Sequence, residues 1–299
     1  MKRKQTPGPI TGQIGRPRAD KKGRQFITAL ARGLDVMRAF RSDDPPLSNQ
    51  ELAKRTHLPR PTVSRITYTL TEQGYLTYNQ PMGCYELGAA TLALGNVAKA
   101  TFNVLSRARL PMQRLADQSQ GNVGLGTRER LSMVYLAACQ GPSVVGLRFN
   151  VGSRVPIVST AMGRAYMAAT SAEDRARIIE QLVRVEKCDR QEIMDGIETT
   201  SSQLETRGFC ISIGGWHADI NGVAVPISAA ELDRLFVINC GAPAYMFPKQ
   251  KLLNEVGPEL VRAANEIKAA LGSVDVAESE DVPEQGSSRQ RSTAGASRN

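Results

Sequence analysis

Histidine, cysteine pairs and long apolar runs are scarce in this 299-residue sequence. Its five cysteines are widely separated and never form C-x-x-C, so neither a disulfide framework nor a zinc site is expected. Only His57 and His217 are present, which leaves little from which to build a histidine metal site or a Ser/His triad. The sequence therefore predicts no metal, no cofactor and no enzyme.

Membrane and export signals are missing as well. No apolar run approaches the roughly 18 residues that a spanning helix needs, and the basic N-terminus lacks the apolar core of a signal peptide. Hydrophobic residues make up 41% and charged residues 22%, as in ordinary globular proteins, and the length suffices for two domains with cores of their own. We expect a cytoplasmic protein that makes no contact with the membrane.

The formal net charge of +9 is concentrated in residues 1–25, which hold eight Lys or Arg against one acid, Asp20. This segment is also rich in Gly and Pro, a composition typical of a disordered tail attracted to phosphate. Within it, Gly15-Arg16-Pro17-Arg18 resembles the core of an AT-hook, in which arginines enter a narrow minor groove. Arg16 and Arg18 are therefore candidate DNA contacts, with a generic basic tail as the alternative. Residues 274–299 are predicted to be a second disordered tail.

The stretch from Leu47 to Leu87 has the pattern of a winged helix-turn-helix. Ser48 and Glu51 form the S-x-x-E capping box, so a helix should start at Asn49. His57 occupies a turn position that needs positive φ. A hairpin turn containing Pro81 and Gly83 then joins two short wing strands, predicted over 75–78 and 84–87.

The second helix of this motif has two different faces. Val63, Ile66 and Leu70 form one apolar stripe. The other face is polar, and its residues suit contact with double-stranded DNA. Three are candidates for reading bases, namely Arg60, Thr62 and Arg65, and two for holding phosphate, namely Ser64 and Tyr68. The alternative is the ordinary polar face of a surface helix.

The flanking segments complete a two-domain arrangement of α+β class. Residues 26–40 should form a helix whose Ile27, Leu30, Leu34 and Met37 pack under the helix-turn-helix. We predict a DNA-binding domain over 26–88, a connecting helix over 89–105 and a second domain over 106–273. The connecting helix is a candidate dimer contact, with an ordinary buried helix as the alternative. The second domain should be an antiparallel sheet with flanking helices. Its predicted strands are 122–127, 131–138, 144–149, 210–213, 222–227 and 235–239, and its predicted helices are 106–119, 159–186, 189–207 and 248–271.

Several segments together resemble the IclR-type bacterial transcriptional regulators over nearly all of the ordered length. They are FITALARGLDVMRAF, LPRPTVSR, GCYELGAATLALG, VGSRVPIVSTAMGRAYMA and RGFCISIGGWHADINGVAVPI. FITALARGL and VGSRVPIVSTAMGRA resemble the branch that controls aromatic-acid catabolism, such as protocatechuate and 4-hydroxybenzoate degradation. The resemblance implies a GAF-like effector-binding domain, a homodimer or homotetramer, and a small organic acid as effector.

Carried onto this sequence, the resemblance implies an effector site built from three segments. These are Gly152 and Ser153; Ser159, Thr160, Ala161, Met162 and Gly163; and the strand residues Asn239, Cys240 and Gly241. Hydroxyl and backbone N–H groups at a helix start are suited to a carboxylate. One of Arg148 and Arg154 is a candidate partner for that carboxylate, with an ordinary surface arginine as the alternative. The candidate apolar walls are Met162, Leu147, Val225 and Ile238.

Two departures and two rival readings accompany this interpretation. His57 stands where the family often has Gly, and Cys240-Gly241-Ala242 stands where it often has a Ser.

One rival is an architectural DNA-binding protein that responds to no ligand. The other is an enzyme on the second domain, but its Gly-rich stretch at 121–126 does not open a helix, as a dinucleotide-binding loop would.

Overall fold

The computed structural model describes residues 26–41, 44–100, 102–142, 149–229 and 234–272. Both terminal tails, with Arg16 and Arg18, lie outside these ranges, as do Leu147 and Arg148. The helices are α1 Thr28–Arg38, α2 Asn49–Thr56, α3 Arg60–Glu72, α4 Ala89–Ala100, α5 Asn103–Ser119, α6 Ala161–Ala169, α7 Ala172–Gln181, α8 Arg190–Arg207, α9 Lys249–Lys251 and α10 Gly257–Gly272. The strands are β1 Leu47–Ser48, β2 Leu76–Asn79, β3 Cys84–Leu87, β4 Asn122–Glu129, β5 Ser132–Gln140, β6 Arg154–Pro156, β7 Cys210–Ile213, β8 Ile220–Ala229 and β9 Arg234–Pro243.

The N-terminal unit is a winged helix-turn-helix, as predicted. The Ser48 hydroxyl accepts the Glu51 backbone N–H and the Glu51 carboxylate accepts the Ser48 backbone N–H, so the capping box is complete and α2 begins at Asn49. His57 ends α2 with φ of 55°, the left-handed conformation expected of it. β1, β3 and β2 form an antiparallel sheet.

The predicted packing of α1 is wrong. Val36 of α1, with no exposed surface, packs with Leu47, Leu52 and Val63 in the core of this unit. The predicted stripe is instead largely solvent-exposed at Ile27, Leu30 and Leu34. The apolar residues do share one face of α1, but this face lies away from the domain's own core. It lines a groove beside α3 and α4.

Residues 89–100 form the connecting helix α4, which has no buried residue. The predicted connecting helix continued to 105, whereas α5 already begins at Asn103. Thr101 lies outside the described residues. The exposed apolar residues Leu92, Leu94 and Val97 give α4 a surface that has no partner within the described chain.

The C-terminal unit is a six-stranded antiparallel sheet with the order β6-β5-β4-β9-β8-β7. Helices cover both faces, so the predicted α+β class is confirmed. α5 and α10 pack on one face, with Phe236, Ile238 and Cys240 in that core. α6 packs on the other face, where it contacts β4, β8 and β9. Because successive strand residues point to opposite faces, each strand side chain lies either in the α5 and α10 core or on the α6 face.

Most predicted elements of this unit are present with shifted ends. The helical region predicted over 159–186 divides into α6, α7 and a π-helical turn, Leu182–Glu186. The short strand β6 was missed, because three residues carry too little periodicity to detect. The strand predicted over 144–149 falls almost wholly outside the described residues. Among the described helices, none is long and apolar enough to cross a membrane.

Candidate DNA-binding face and effector recess

Helix α3 presents the polar face that its sequence predicts. Arg60, Ser64 and Tyr68 follow one another at four-residue spacing and are all exposed, so they form one ridge along the helix. Arg65 is exposed beside this ridge, whereas Thr62 is half-buried and lies beyond Arg65 around the helix. All five predicted residues therefore lie on one helix of a winged helix-turn-helix.

The start of α3 has the electrostatics of a phosphate-binding end. Pro59 precedes the helix without a side-chain cap, and the first turn has no acidic residue. The positive end of the helix dipole and the Arg60 guanidinium are therefore not neutralised by a local carboxylate. Below this surface, the Thr67 hydroxyl donates to Asn49 Oδ1 at 3.1 Å, which fixes α3 against α2.

On the α6 face of the large sheet, three glycines from three strands lie close together. β8 pairs Gly222 with Gly241 of β9, and the next register pairs place Gly124 of β4 opposite Asn239. A Cβ on Gly241 would meet only the Asn221 carbonyl oxygen, at 3.5 Å, and one on Gly222 only backbone atoms of β9. Among the described residues, no side chain lies within 4 Å of either added Cβ, although Gly241 itself is buried. Gly124 differs from the other two, because the Tyr135 ring lies against it and fills the space that a Cβ would take. We name the open floor of Gly222 and Gly241 the glycine recess.

The polar and aromatic groups next to the recess form a continuous chain of contacts. Asn239 is buried, and its Nδ2 donates to the Tyr135 hydroxyl at 3.2 Å. The Tyr135 ring stacks on Phe149 at 4.8 Å, and Phe149 lies 6.0 Å from Trp216. Burial raises the pKa of Tyr135, so its hydroxyl stays protonated at neutral pH. The site can therefore offer an amide, a neutral phenol and flat aromatic surfaces.

The helix start predicted for a carboxylate is present, but one of its groups is already used. Thr160 caps α6: its hydroxyl accepts the Gly163 N–H at 3.0 Å and donates to the Pro156 carbonyl at 2.7 Å. The one hydroxyl donor of Thr160 is already used, so it is not free for a ligand. A substitution of Thr160 would remove the cap of α6 whether or not a ligand binds nearby. Ala161 and Met162 are buried behind it, and Met162 reaches the strand at Gly126.

Strand alternation corrects part of the predicted site. Asn239 and Gly241 lie on the α6 face, whereas Ile238 and Cys240 lie on the other, inside the α5 and α10 core. Val225 lies in that core too. Val225 and Ile238 therefore cannot be walls of the recess, and Cys240 can contribute only its backbone. Its Sγ is 3.5 Å from the Ser119 hydroxyl, and burial raises its pKa to about 12.

The segment before β6 is tied to Tyr135 through its backbone. Gly152 has φ of 87° in a turn, and its N–H donates to the Tyr135 carbonyl at 2.8 Å. The Tyr135 N–H in turn donates to the Ser153 carbonyl at 3.0 Å. Arg154, predicted as a carboxylate partner, is instead paired with Glu129, with Nε 2.7 Å from Oε2.

Comparison with known proteins decides the family. A model of the IclR helix-turn-helix domain matches residues 29–80. A model described as the bacterial transcriptional regulator IclR C-terminal domain matches residues 97–269, which is more than half of the chain. The chain belongs to the IclR family.

Relatives of this IclR-family chain agree with the assignment. It is similar to the HTH-type transcriptional regulator TsaQ1/TsaQ2 of Comamonas testosteroni, with 31% identity over 251 residues that cover 83% of this chain and 90% of that protein. An IclR family transcriptional regulator from Brucella abortus has a crystal structure 37% identical to it, with a TM-score of 0.73, covering 88% of this chain and 98% of that one. A crystallised IclR homolog from Microbacterium hydrocarbonoxydans, complexed with 4-hydroxybenzoate, shares the fold at 19% identity and a TM-score of 0.64, covering 82% and 99%.

As an IclR-family member, the chain is a DNA-binding transcriptional regulator with an effector domain and not an enzyme. The chemistry of its side chains is consistent with this class. Burial raises the pKa of Cys210, like that of Cys240, to about 12, so neither thiol is an activated nucleophile. Within the described ranges, no group of three or more His, Cys, Asp or Glu could hold a metal ion.

Proposed function

We propose that this regulator senses a small aromatic carboxylic acid in the glycine recess and controls a catabolic operon in response. The observation that carries the proposal is the recess itself, a floor without side chains next to Asn239 and three aromatic rings. A flat ligand fits such a floor because the missing Cβ atoms leave room against the sheet.

Each part of an aromatic acid has a proposed counterpart. The ring would lie near Tyr135, Phe149 and Trp216, since offset aromatic pairs stabilise binding by about 0.5–1.5 kcal/mol each. A hydroxyl would meet the Asn239 amide, which can donate or accept. The carboxylate would lie toward the start of α6, near Ser159 and the backbone of residues 160–163, with Gly152 and Ser153 at the rim. The 4-hydroxybenzoate bound to the Microbacterium hydrocarbonoxydans homolog makes that acid the first compound to try.

Thermal melting with a panel of acids tests the sensor function. We expect at least one of 4-hydroxybenzoate, protocatechuate or a related benzoate to raise the melting temperature in proportion to the logarithm of its concentration, because a ligand of the native state stabilises it by mass action. Aliphatic acids of similar charge serve as the control. If no acid of either kind shifts the melting curve, the protein is a DNA binder without a sensor, and the proposal fails.

For DNA, we propose that α3 enters the major groove. Arg60, Thr62 and Arg65 would read base edges, and Ser64 and Tyr68 would hold phosphate. Arg16 and Arg18, on the basic tail, would add attraction to the backbone or enter the minor groove. The ridge formed by Arg60, Ser64 and Tyr68, together with the uncapped helix start, supports this assignment.

We further propose that the chain binds DNA as a homodimer, alone or as half of a homotetramer, through α1 and α4. Between α1, α3 and α4 lies an open groove of about 980 Å³. Its α1 and α4 walls carry the apolar residues Leu30, Leu34 and Leu94, which we assign to the second copy. Its α3 wall carries Thr62, Ser64, Arg65 and Tyr68, which we leave to DNA. An exposed apolar surface of this kind favours a second helix as its occupant. Because helix-turn-helix proteins usually read two half-sites, the second copy of this chain is the natural source of that helix.

Leu34→Ala is expected to weaken self-association about fivefold, since truncating a buried interface leucine costs about 1 kcal/mol. Sedimentation equilibrium measures the effect. Met194→Ala on α8, which also truncates an exposed apolar residue, is the matched control and should leave association unchanged. Equal association constants for wild type and Leu34→Ala would contradict an interface through α1.

A further inference from the structure

An ion cluster joins the two units of the chain. Asp35 of α1 accepts a hydrogen bond from Arg130 Nη2, in the β4–β5 turn, at 3.0 Å. Arg38 of α1 pairs with Glu129 at the end of β4, with Nε 3.0 Å from Oε1. Glu129 also pairs with Arg154 of β6. The DNA-binding and effector units are thus connected by charged side chains as well as by the chain between α4 and α5.

This cluster differs from an ordinary surface ion pair in its burial. Asp35 is only 8% exposed, and it also lies 3.6 Å from Arg38. Burial alone would raise the pKa of Glu129, but Arg154, Arg38 and Arg130 outweigh it and hold that pKa below its usual value. A network of partly buried charges is geometrically more restrictive than a single exposed pair, which contributes little.

On the effector side, the cluster is directly attached to the recess. β5 carries Tyr135 just after the turn, and the Tyr135 ring lies against Gly124 of β4, the strand that ends at Glu129. The backbone of Tyr135 exchanges hydrogen bonds with Gly152 and Ser153, the residues immediately before Arg154. A shift of Tyr135 would therefore act on β4, which ends at Glu129, and on β6, which begins at Arg154.

On the DNA side, the cluster is one residue away from the core below the recognition helix. Asp35 precedes Val36, which packs with Leu52 of α2 and Val63 of α3. Because a packed core transmits displacement instead of absorbing it, movement of α1 at Asp35 and Arg38 is passed on to α3. The same helix carries Leu34 of the groove proposed as the dimer contact.

We propose that the cluster of Asp35, Arg38, Glu129 and Arg130 couples the glycine recess to the recognition helix within one chain. The proposal rests on the proposed function, in that the signal it carries is occupancy of the recess. Coupling between two sites is reciprocal, so DNA bound at α3 must also change the stability of the β4–β5 turn. That reciprocity allows a test that needs no known effector and no known operator.

The test is amide hydrogen exchange of the full chain, with and without a saturating mixed-sequence DNA duplex at low salt. In the wild type, DNA should slow exchange in α1 to α3 and also severalfold in residues 129–135. The test variant is Arg38→Gln with Arg130→Asn. Asparagine is chosen because Arg130 has φ of 57°, which asparagine tolerates. In this variant, the slowing should stop at the DNA-binding unit.

Arg114→Gln is the matched control. Arg114 pairs with Glu266 within the effector unit, so its removal breaks an ion pair that does not join the two units. In Arg114→Gln, DNA should slow amide exchange in residues 129–135 as much as it does in the wild type. Should the double variant keep that protection, or the wild type lack it, the coupling role is wrong.

A second arm uses 4-hydroxybenzoate and its relatives from the melting panel. The double variant should bind an active acid with unchanged affinity while the acid's effect on DNA affinity falls to nothing. An unchanged effect of the acid in the double variant would also overturn the coupling role. If no acid binds, the sensor proposal fails, but the exchange experiment still decides whether the cluster connects the two units.

Discussion

Arg65→Ala is expected to weaken binding to the selected operator by roughly 5- to 150-fold, while binding to mixed-sequence duplex changes little. The range corresponds to the roughly 1–3 kcal/mol of discrimination that a good base contact provides. The operator is obtained by selecting duplexes from a random library with the wild-type protein. Fluorescence anisotropy at one fixed salt concentration then gives both affinities, since affinities at different salt concentrations cannot be compared.

Lys54→Ala is the matched control for this experiment. Lys54 is an exposed cation on α2, so its removal lowers the net charge equally without touching the face of α3. It should affect operator and mixed-sequence DNA to the same small extent. A loss with Arg65→Ala that is equal on both duplexes would assign Arg65 to phosphate contact and contradict base reading.

Gly241→Ala is expected to weaken binding of an active aromatic acid by roughly 5- to 150-fold and to leave DNA binding intact. A methyl group at this position enters the recess, and overfilling a packed site costs about 1–3 kcal/mol. The fold itself should tolerate the change, because the new Cβ would lie 3.5 Å from the Asn221 carbonyl oxygen, an ordinary contact. Calorimetry measures the affinity, with 4-hydroxybenzoate as the first ligand.

Gly196→Ala makes the same chemical change on α8 and is the control for Gly241→Ala. Its added Cβ would meet only the Arg164 side chain, at 3.9 Å, so the effector unit gains a methyl away from the recess. Its ligand affinity should equal that of the wild type. If both variants bind the acid as tightly as the wild type, the ligand lies elsewhere than against Gly241.

The DNA-binding unit was predictable because its determinants are local. The capping box of Ser48 and Glu51 and the left-handed turn at His57 depend on residues a few positions apart, and both are present. The stripe on α1 shows where such reasoning ends. An apolar period marks a helix face that will be covered, but it does not indicate whether the covering residues come from the same domain. Leu30 and Leu34 of α1 are exposed and point away from the core of their own domain.

The effector recess was only partly predictable because it depends on the register of separate strands. Asn239 and Gly241, predicted through family resemblance, lie at the proposed recess, whereas Tyr135, Phe149 and Trp216 beside it were not predicted. Nothing in the sequence alone indicates that β4 and β9 are neighbours. One error was avoidable, since the period of two along β9 already separates Ile238 and Cys240 from Asn239.

The floor of the recess also determines how easily its selectivity can be altered. Gly222 and Gly241 lie on the recess side of the sheet, while their strand neighbours Val223 and Cys240 belong to the opposite core. A side chain added at Gly241 would meet only the Asn221 carbonyl oxygen at 3.5 Å, whereas one added at Gly222 would press on the Cys240 carbonyl oxygen at 3.3 Å. Replacing Gly241 by alanine, serine or valine would shrink the available space by one, two or three heavy atoms. A graded set of biosensors, each accepting a smaller acid than the last, could therefore be built from this single chain.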